Sequence, residues 1–169
     1  MKKIAIMQPY FFPYIGYFQL INSVDEFVVY DNIQFTKNGW INRNRILVNG
    51  KDYYISLPLK KDSDYLNVNQ RILSETWSVE RKKMLNRVTE SYRKAPYFEQ
   101  IYPLFENCLN LKEMNLFNLL YSSLKEVLSF IDVPTKIFVS SSIDIDHNLK
   151  SEQKVLAICK AQNATTYIN

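Results

Sequence analysis

Two short apolar runs flank an amphipathic stretch at the start of the chain. Lys3–Met7 is apolar up to an abrupt stop at Gln8-Pro9, which predicts a buried strand of a parallel sheet. Tyr14–Val24 repeats apolar side chains at helical spacing, and Phe27–Tyr30 is a second apolar run that ends at Asp31-Asn32. A strand, a helix and a strand within about 30 residues predict a βαβ unit, from which parallel α/β domains are built.

The pattern then changes to that of paired antiparallel strands. Arg43–Val48 and Tyr53–Leu57 flank Asn49-Gly50, a dipeptide that suits the two positive φ angles of a type I′ hairpin turn. Leu66–Ile72 alternates apolar and polar residues, which predicts a third strand. We therefore expect a β-hairpin insertion over about residues 43–72.

A helical middle region follows, over about residues 74–131. Its predicted helices run from Ser74, as N-cap, to Arg93, then over Phe98–Leu109 and the strongly apolar Glu113–Ile131. The rest of the chain predicts a strand, a helix and a strand: Thr135–Ser140, Ser151–Gln162 and Thr165–Ile168.

Together these elements predict one α/β domain over residues 1–169. It should be Rossmann-like, with three layers around a central, mainly parallel sheet. In such sheets ligands bind at the carboxyl ends of the strands. The loop Gln8–Pro13 and the stretch Asp31–Trp40 are both expected there.

The loop after the first strand is rich in aromatic residues. Its prolines stiffen it, and Gly16 lets backbone or ligand come close where the helix starts. Aromatic rings would stack on a ring of the ligand, and free N–H groups at the helix start would bind an anion. The alternative is a rigid packing corner without a ligand. The candidate ligand-binding residues are Gln8, Tyr10, Phe12, Tyr14, Gly16 and Tyr17.

A second polar cluster leads into the first hairpin strand. Asn42, Arg43 and Arg45 are candidate ligand-binding residues, because guanidinium groups hold carboxylate or phosphate through paired hydrogen bonds. On a strand the two arginines share one face, whereas Asn42 and Asn44 share the other. Trp40 beside them is expected to be buried. The alternative is a solvated edge where arginine stems cover apolar surface.

Polar residues also follow the third strand of the predicted parallel sheet. Ser140 and Ser141 are expected at the same edge as the aromatic loop, and Lys150 opens the next helix, a position that suits phosphate binding. Ser151 acting as a plain N-cap would explain part of this pattern. Asp31 is the best candidate general base, because it follows a central strand.

Composition narrows the classes of partner. The net charge is +4 and the chain has no basic run, which argues against nucleic acid and favours a small anionic ligand. Cys108 and Cys159 lie far apart and predict free thiols. No apolar segment is long enough to span a membrane and no signal peptide is present, so we expect a cytoplasmic protein.

Several standard site types find no support in the sequence. His147 is the only histidine and has no nucleophile motif beside it, so neither a His-dependent triad nor a zinc site is predicted. The three glycines, Gly16, Gly39 and Gly50, cannot form a glycine-rich phosphate loop. We expect neither a metal ion nor a bound cofactor.

Ordered motifs along the whole chain resemble the WbqC-like family. The family is associated with gene clusters for bacterial surface polysaccharides of the O-antigen type. The resemblance therefore implies an enzyme that acts on an activated or nucleotide-linked sugar, and it implies C-terminal elements beyond the end of this chain. The motifs are Met7–Phe18, Tyr30–Phe35, Trp40–Ile46, Tyr92–Phe98, Ser140-Ser141 and Ile158–Lys160.

A looser resemblance, in fold and site position only, is to nucleotidylyltransferases of the HIGH superfamily. Tyr14-Ile15-Gly16-Tyr17 takes the place of their His-x-Gly-His loop, and Ser140-Ser141 that of a later serine segment. Both histidines are missing, so standard nucleotidyl transfer is not expected.

The sequence favours a group-transfer enzyme with a small-molecule ligand, of which a nucleotide sugar is the leading class. The alternative is a non-catalytic binding or assembly module whose aromatic loop contacts a partner protein. A homo-oligomer is compatible with both. The first hypothesis expects Gln8, Asp31, Arg43 and Ser141 to converge on one cleft.

Overall fold

A four-stranded sheet and a separate hairpin organise the computed structural model, which describes residues 1–169. Two 3₁₀ turns, Val68–Gln70 and Ser140–Ser142, add to the regular elements. In chain order the strands and helices are β1 (Lys3–Met7), α1 (Ile15–Asn22), β2 (Glu26–Val29), β3 (Arg43–Val48), β4 (Lys51–Ser56), α2 (Trp77–Tyr92), α3 (Phe98–Asn110), α4 (Leu116–Phe130), β5 (Lys136–Val139), α5 (Ser151–Ala161) and β6 (Thr166–Ile168).

The four strands of the central sheet are parallel and stand in the order β5-β2-β1-β6. The register pairs Ile6 with Val28, and Val28 with Phe138. The first strand, helix and second strand thus form the expected βαβ unit. The predicted α/β class with a central parallel sheet is confirmed.

Alternate side chains of the central strands enter two cores on opposite faces of the sheet. Ala5 and Phe27 belong to a core of 23 buried residues that also includes side chains of α1 and α4. Ile4 and Val28 belong to a smaller core, which Ile158 of α5 helps to form. Both faces are therefore covered, which explains why these strands read as continuous apolar runs.

The hairpin of β3 and β4 turns at Asn49-Gly50, as predicted. Both residues have positive φ, 50° and 76°, and Val48 pairs with Lys51. The predicted third strand over Leu66–Ile72 is wrong. That segment contains a 3₁₀ turn, in which the N–H of Asn67 donates to the side-chain oxygen of Gln70. Gln70 bonds locally and Asn69 bonds to Asp31, so these polar side chains do not alternate across a sheet.

Two helix starts differ from the sequence predictions, and a third helix differs only in its cap. Helix α2 begins at Trp77 rather than after Ser74, whose hydroxyl accepts from the N–H of Thr76 in the preceding turn. Helix α4 begins after Asn115, whose side chain caps the N–H of Asn118. Ser151 does not cap α5 but is its first residue. Flanking polar residues hold these segments in turns before the helices start.

Hydrogen bonds join the loops at the carboxyl edge of the sheet. The N–H of Tyr30 donates to the carbonyl of Met7 at 2.7 Å, and the N–H of Asp31 donates to Oγ of Ser140 at 3.2 Å. The chain segments after β1, β2 and β5 therefore lie together, as the parallel arrangement requires. None of the helices combines the length and apolar character needed to cross a membrane.

Candidate functional site

Phe12 gives the loop after β1 its shape. Its φ is 46°, in the left-handed region that residues other than glycine seldom adopt. Asn44 of β3 holds this conformation by donating from Nδ2 to the carbonyl oxygens of Phe11, at 2.9 Å, and Phe12, at 2.5 Å. The N–H of Phe11 also donates to the carbonyl of Trp40 at 3.0 Å. The hairpin segment thus fixes the backbone of the aromatic loop.

Tyr14 and Tyr17 occupy different environments at the start of α1. Tyr14 is 68% exposed, and its ring lies so close to Gly16 that a Cβ at that position would clash with it. Tyr17 is buried and donates its hydroxyl to the carbonyl of Gln8 at 3.0 Å, and burial raises the pKa of its phenol. Gly16 therefore makes room for Tyr14, and Tyr17 is part of the core.

Arg43 and Asn42 stabilise the turn that leads into β3. The guanidinium of Arg43 donates to the carbonyl oxygens of Asn38 and Gly39, at 3.1 Å for the latter. The side chain of Asn42 donates from Nδ2 to the carbonyl of Leu57 at 3.0 Å. The backbone carbonyl of Asn42 accepts from the N–H of Leu57. Both side chains are thus engaged in intramolecular contacts.

Arg45 lies on the solvent side of the hairpin with its guanidinium over the ring of Trp40. It donates from Nη1 to Oδ2 of Asp52 at 2.7 Å, and it lies 5.3 Å from the ring centre of Trp40. Trp40 stacks on Tyr54 with 6.4 Å between ring centres. The expectation that Trp40 is buried is wrong, because 39% of it is exposed.

A cavity of about 440 Å³ opens between the aromatic loop and the hairpin. Aromatic rings line it together with one ion pair, that of Arg45 and Asp52. The structure therefore brings part of the aromatic loop and one of the two predicted arginines to a common surface. This polar cavity is lined by Tyr10, Pro13, Tyr14, Trp40, Asn44, Arg45, Ile46, Leu47, Asp52 and Tyr92.

A second cavity of about 410 Å³ adjoins the first. It is mostly apolar, since 11 of its 14 lining residues are hydrophobic. Phe12 packs on Phe105 of α3 in its wall, with 4.9 Å between ring centres. Four residues line both cavities: Asn44, Arg45, Ile46 and Tyr92.

Asp31 is the centre of a separate, buried polar cluster. Its Oδ1 accepts from the hydroxyl of Ser140 at 2.8 Å and from the N–H of Ser141 at 2.9 Å. Its Oδ2 accepts from Nδ2 of Asn69 at 2.7 Å. The residue is 2% exposed, so little of the carboxylate surface is open to a substrate.

Lys154 of α5 is buried next to this cluster. Its Nζ donates to the carbonyl of His147 at 3.3 Å and lies 5.2 Å from the ring centre of Tyr30. Burial lowers the pKa of Lys154, and the negative charge of Asp31 opposes that shift. His147 is exposed and accepts from Nδ2 of Asn32 at 3.0 Å. These contacts fix the loop before α5 against the end of β2.

The predicted candidates thus fall into two groups rather than one cleft. Asp31 and Ser141 are in contact, whereas Arg43 binds the preceding turn and Gln8 bonds through its carbonyl. Lys150 is exposed and caps α5 only through its backbone. The expected convergence of Gln8, Asp31, Arg43 and Ser141 is therefore not observed, and Arg45 is the predicted cation that lines a cavity.

Sequence reasoning missed several residues of both groups. Tyr92 lies near the end of a predicted helix, and only its place in the Tyr92–Phe98 motif singled it out. Asn69 carried no signal, because its partner is 38 residues away. Asp52 is only seven residues from its partner Arg45, so the predicted hairpin could have revealed this pair. Lys154 lies on the same face of α5 as buried Ile158, but a lysine gives no sequence signal of burial.

The chain matches the model of the WbqC-like protein family over residues 8–169. It is also similar to the uncharacterized protein Rv1507c of Mycobacterium tuberculosis (strain ATCC 25618 / H37Rv), with 29% identity over 175 residues. That alignment covers 100% of this chain and 72% of the relative. No solved structure matches the chain. The matched range contains the residues of the Asp31 cluster and all residues that line the two cavities.

Proposed function

Because the chain belongs to the WbqC-like protein family, we propose that it is an enzyme of bacterial surface-polysaccharide biosynthesis, of the O-antigen type. It binds an activated or nucleotide-linked sugar and transfers a group to or from it. The polar cavity is the binding site in this proposal. Asp31, the predicted general base, lies in the separate buried cluster and lines neither cavity, so the proposal assigns it no proton transfer to a ligand in the polar cavity.

The observation that supports the proposal is the combination of rings and charge in the polar cavity. Tyr10, Tyr14 and Trp40 offer aromatic surface, on which the apolar face of a sugar or the base of a nucleotide stacks. Arg45 and Asp52 offer donors and acceptors for hydroxyl and phosphate oxygens. Pockets that combine apolar walls with a few placed polar groups are typical of small-molecule sites.

Arg45 is the residue best placed to bind a phosphate. A guanidinium has five N–H donors, and one nitrogen of Arg45 is engaged by Asp52. Its side chain is 47% exposed, so this ion pair contributes roughly 0–1 kcal/mol to folding stability. Replacement of Arg45 should therefore reduce ligand binding without unfolding the protein.

A ligand screen with the full chain tests the proposal. Nucleotide sugars, the matching nucleotides and sugar 1-phosphates are compared by thermal shift, and binding is followed by the fluorescence of Trp40. Trp77 is buried and serves as an internal reference. We expect at least one sugar-bearing compound to raise the melting temperature and to change the emission.

Arg45→Gln is expected to weaken that compound's binding about tenfold or more, because charge-assisted hydrogen bonds are lost. Arg93→Gln is the matched control, since Arg93 is exposed and lies outside both cavities. If no sugar-bearing compound stabilises the protein, or if both variants bind equally well, the proposed function is contradicted.

The second candidate is a non-catalytic assembly module. It is favoured by one observation, the exposure of Tyr14 and Ile15 at the start of α1. Under this alternative, Ile15→Ser would reduce self-association in sedimentation experiments, whereas Arg45→Gln would leave it unchanged. Loss of ligand binding in Arg45→Gln without any change in association favours the enzyme.

A further inference from the structure

The polar and the apolar cavity adjoin, and we call them the two arms of the candidate cleft. Asn44, Arg45, Ile46 and Tyr92 line both arms and mark the boundary between them. On one side of this boundary lie the Arg45–Asp52 pair and exposed aromatic rings. On the other side the lining comes mainly from apolar residues of α3 and from the end of the turn before it.

The apolar arm leaves hydrophobic surface open to solvent. Tyr97 is 68% exposed and Ile101 is 46% exposed, and both line this arm. Contiguous apolar surface of this kind on a protein marks a place where an apolar group binds. A sugar or a nucleotide in the polar arm would cover none of it.

Polar groups are concentrated at the junction of the two arms. The hydroxyl of Tyr92 accepts from the N–H of Leu47 at 2.8 Å, and Asn44 bonds to the aromatic loop. Both groups are thus engaged, whereas Arg45 retains free donors at the boundary. A ligand that changes from polar to apolar at this point would match the cleft along its whole length.

We infer that the two arms form one continuous cleft and that this cleft takes an amphipathic ligand, in which an oxygen-rich sugar or phosphate head is bonded to an alkyl chain. The head occupies the polar arm and the chain lies in the apolar arm against Tyr97 and Ile101. This inference rests on the proposed function, because it specifies the carrier or acceptor of the sugar that the polar arm binds.

Matched probe pairs test the inference on the full chain. Methyl and octyl β-D-glucoside share one head, and ethyl and octyl phosphate share another. Their affinities are measured by calorimetry below the critical micelle concentrations. We expect the octyl member of at least one pair to bind about tenfold or more tightly than its short-chain partner, because each buried methylene favours binding.

Variants then show where the alkyl chain of the ligand binds. Ile101→Asn places a polar group in the apolar arm and should remove most of the octyl gain. Leu156→Asn is the matched control, because Leu156 is equally exposed on α5, away from both arms. Tyr97→Ser repeats the test at a second, more exposed position, so that a folding defect in one variant does not decide the result.

Equal affinities within both probe pairs would overturn the inference, and so would an octyl gain that survives in both Ile101→Asn and Tyr97→Ser. Neither result contradicts the proposed function, because that function is tested by the binding of sugar-bearing compounds and by Arg45→Gln. Conversely, an octyl gain that is lost in these variants, together with a negative sugar screen, would support the apolar arm and contradict the proposed function.

Discussion

Asn44 controls the aromatic loop through one side-chain amide. Its Nδ2 donates to two successive carbonyl oxygens, those of Phe11 and Phe12, and so holds Phe12 at positive φ. Such a backbone conformation costs on the order of 1–3 kcal/mol and persists only where surrounding contacts fix it. Both arms of the cleft share Asn44, so the shape of the site depends on it.

Asn44→Asp is expected to destabilise the fold by about 2 kcal/mol, because both donors are lost and a carboxylate faces two carbonyl oxygens. The free energy of unfolding in urea measures this. Asn107→Asp makes the same chemical change at an exposed position and should alter stability by less than about 0.5 kcal/mol. Equal stabilities of the two variants would show that Asn44 does not hold the loop.

The residue types in the sequence indicated which region lines the polar cavity. They did not show which side chains of that region face the cavity. Tyr10, Tyr14 and Arg45 line the polar cavity, as the aromatic loop and the arginine cluster indicated. Arg43 and Tyr17 have the same chemistry as their neighbours, but their side chains donate to backbone carbonyl oxygens of the protein. The difference is set by strand and helix orientation and by carbonyl partners that sequence spacing does not reveal.

Cys108 shows how α3 and α4 pack. Its thiol is fully buried and lies 4.0 Å from the carbonyl of Ser123 in α4. Burial raises the pKa of Cys108 to about 11, from 9.0. Between these two pH values the unfolded chain releases the thiol proton while the folded protein retains it. Stability from this group therefore falls as the pH rises through 9.

We expect Cys108→Ala to lose less stability than the wild type between pH 8 and pH 10, by roughly 1 kcal/mol. Urea unfolding at the two pH values measures the difference, and other groups that titrate there cancel in the comparison. Cys159→Ala, from α5, removes a less buried thiol whose pKa is also raised by burial, and it should give a smaller change of the same sign. A wild-type pH dependence in Cys108→Ala would contradict buried thiol packing.

At the scale of elements, strong periodicity predicted strands and helices well. The apolar runs of β1 and β2 are buried on both faces, and Asn49-Gly50 forms the expected turn. The strand predicted over Leu66–Ile72 is absent, because alternation alone does not distinguish a strand from an irregular segment whose polar side chains have other partners. Gln70 bonds within the segment, whereas Asn69 bonds to the distant Asp31.

Asp31 connects segments that are far apart in the chain. It joins the end of β2 to the 3₁₀ turn that contains Asn69 and to the serines after β5, over separations of 38 and 109 residues. Tertiary pairing of this kind cannot be deduced from a single sequence, although the edge of the sheet where it occurs was predicted. The carboxylate therefore stabilises the carboxyl edge of the sheet.

Asp31→Asn is expected to lower the free energy of unfolding by about 2 kcal/mol or more, because its new amide N–H group must face a donor from Asn69, Ser140 or Ser141. Urea unfolding without ligand measures this loss. Asp144→Asn, at an exposed position, should remain near wild-type stability. If Asp31→Asn is as stable as that control, the three contacts contribute little to the fold.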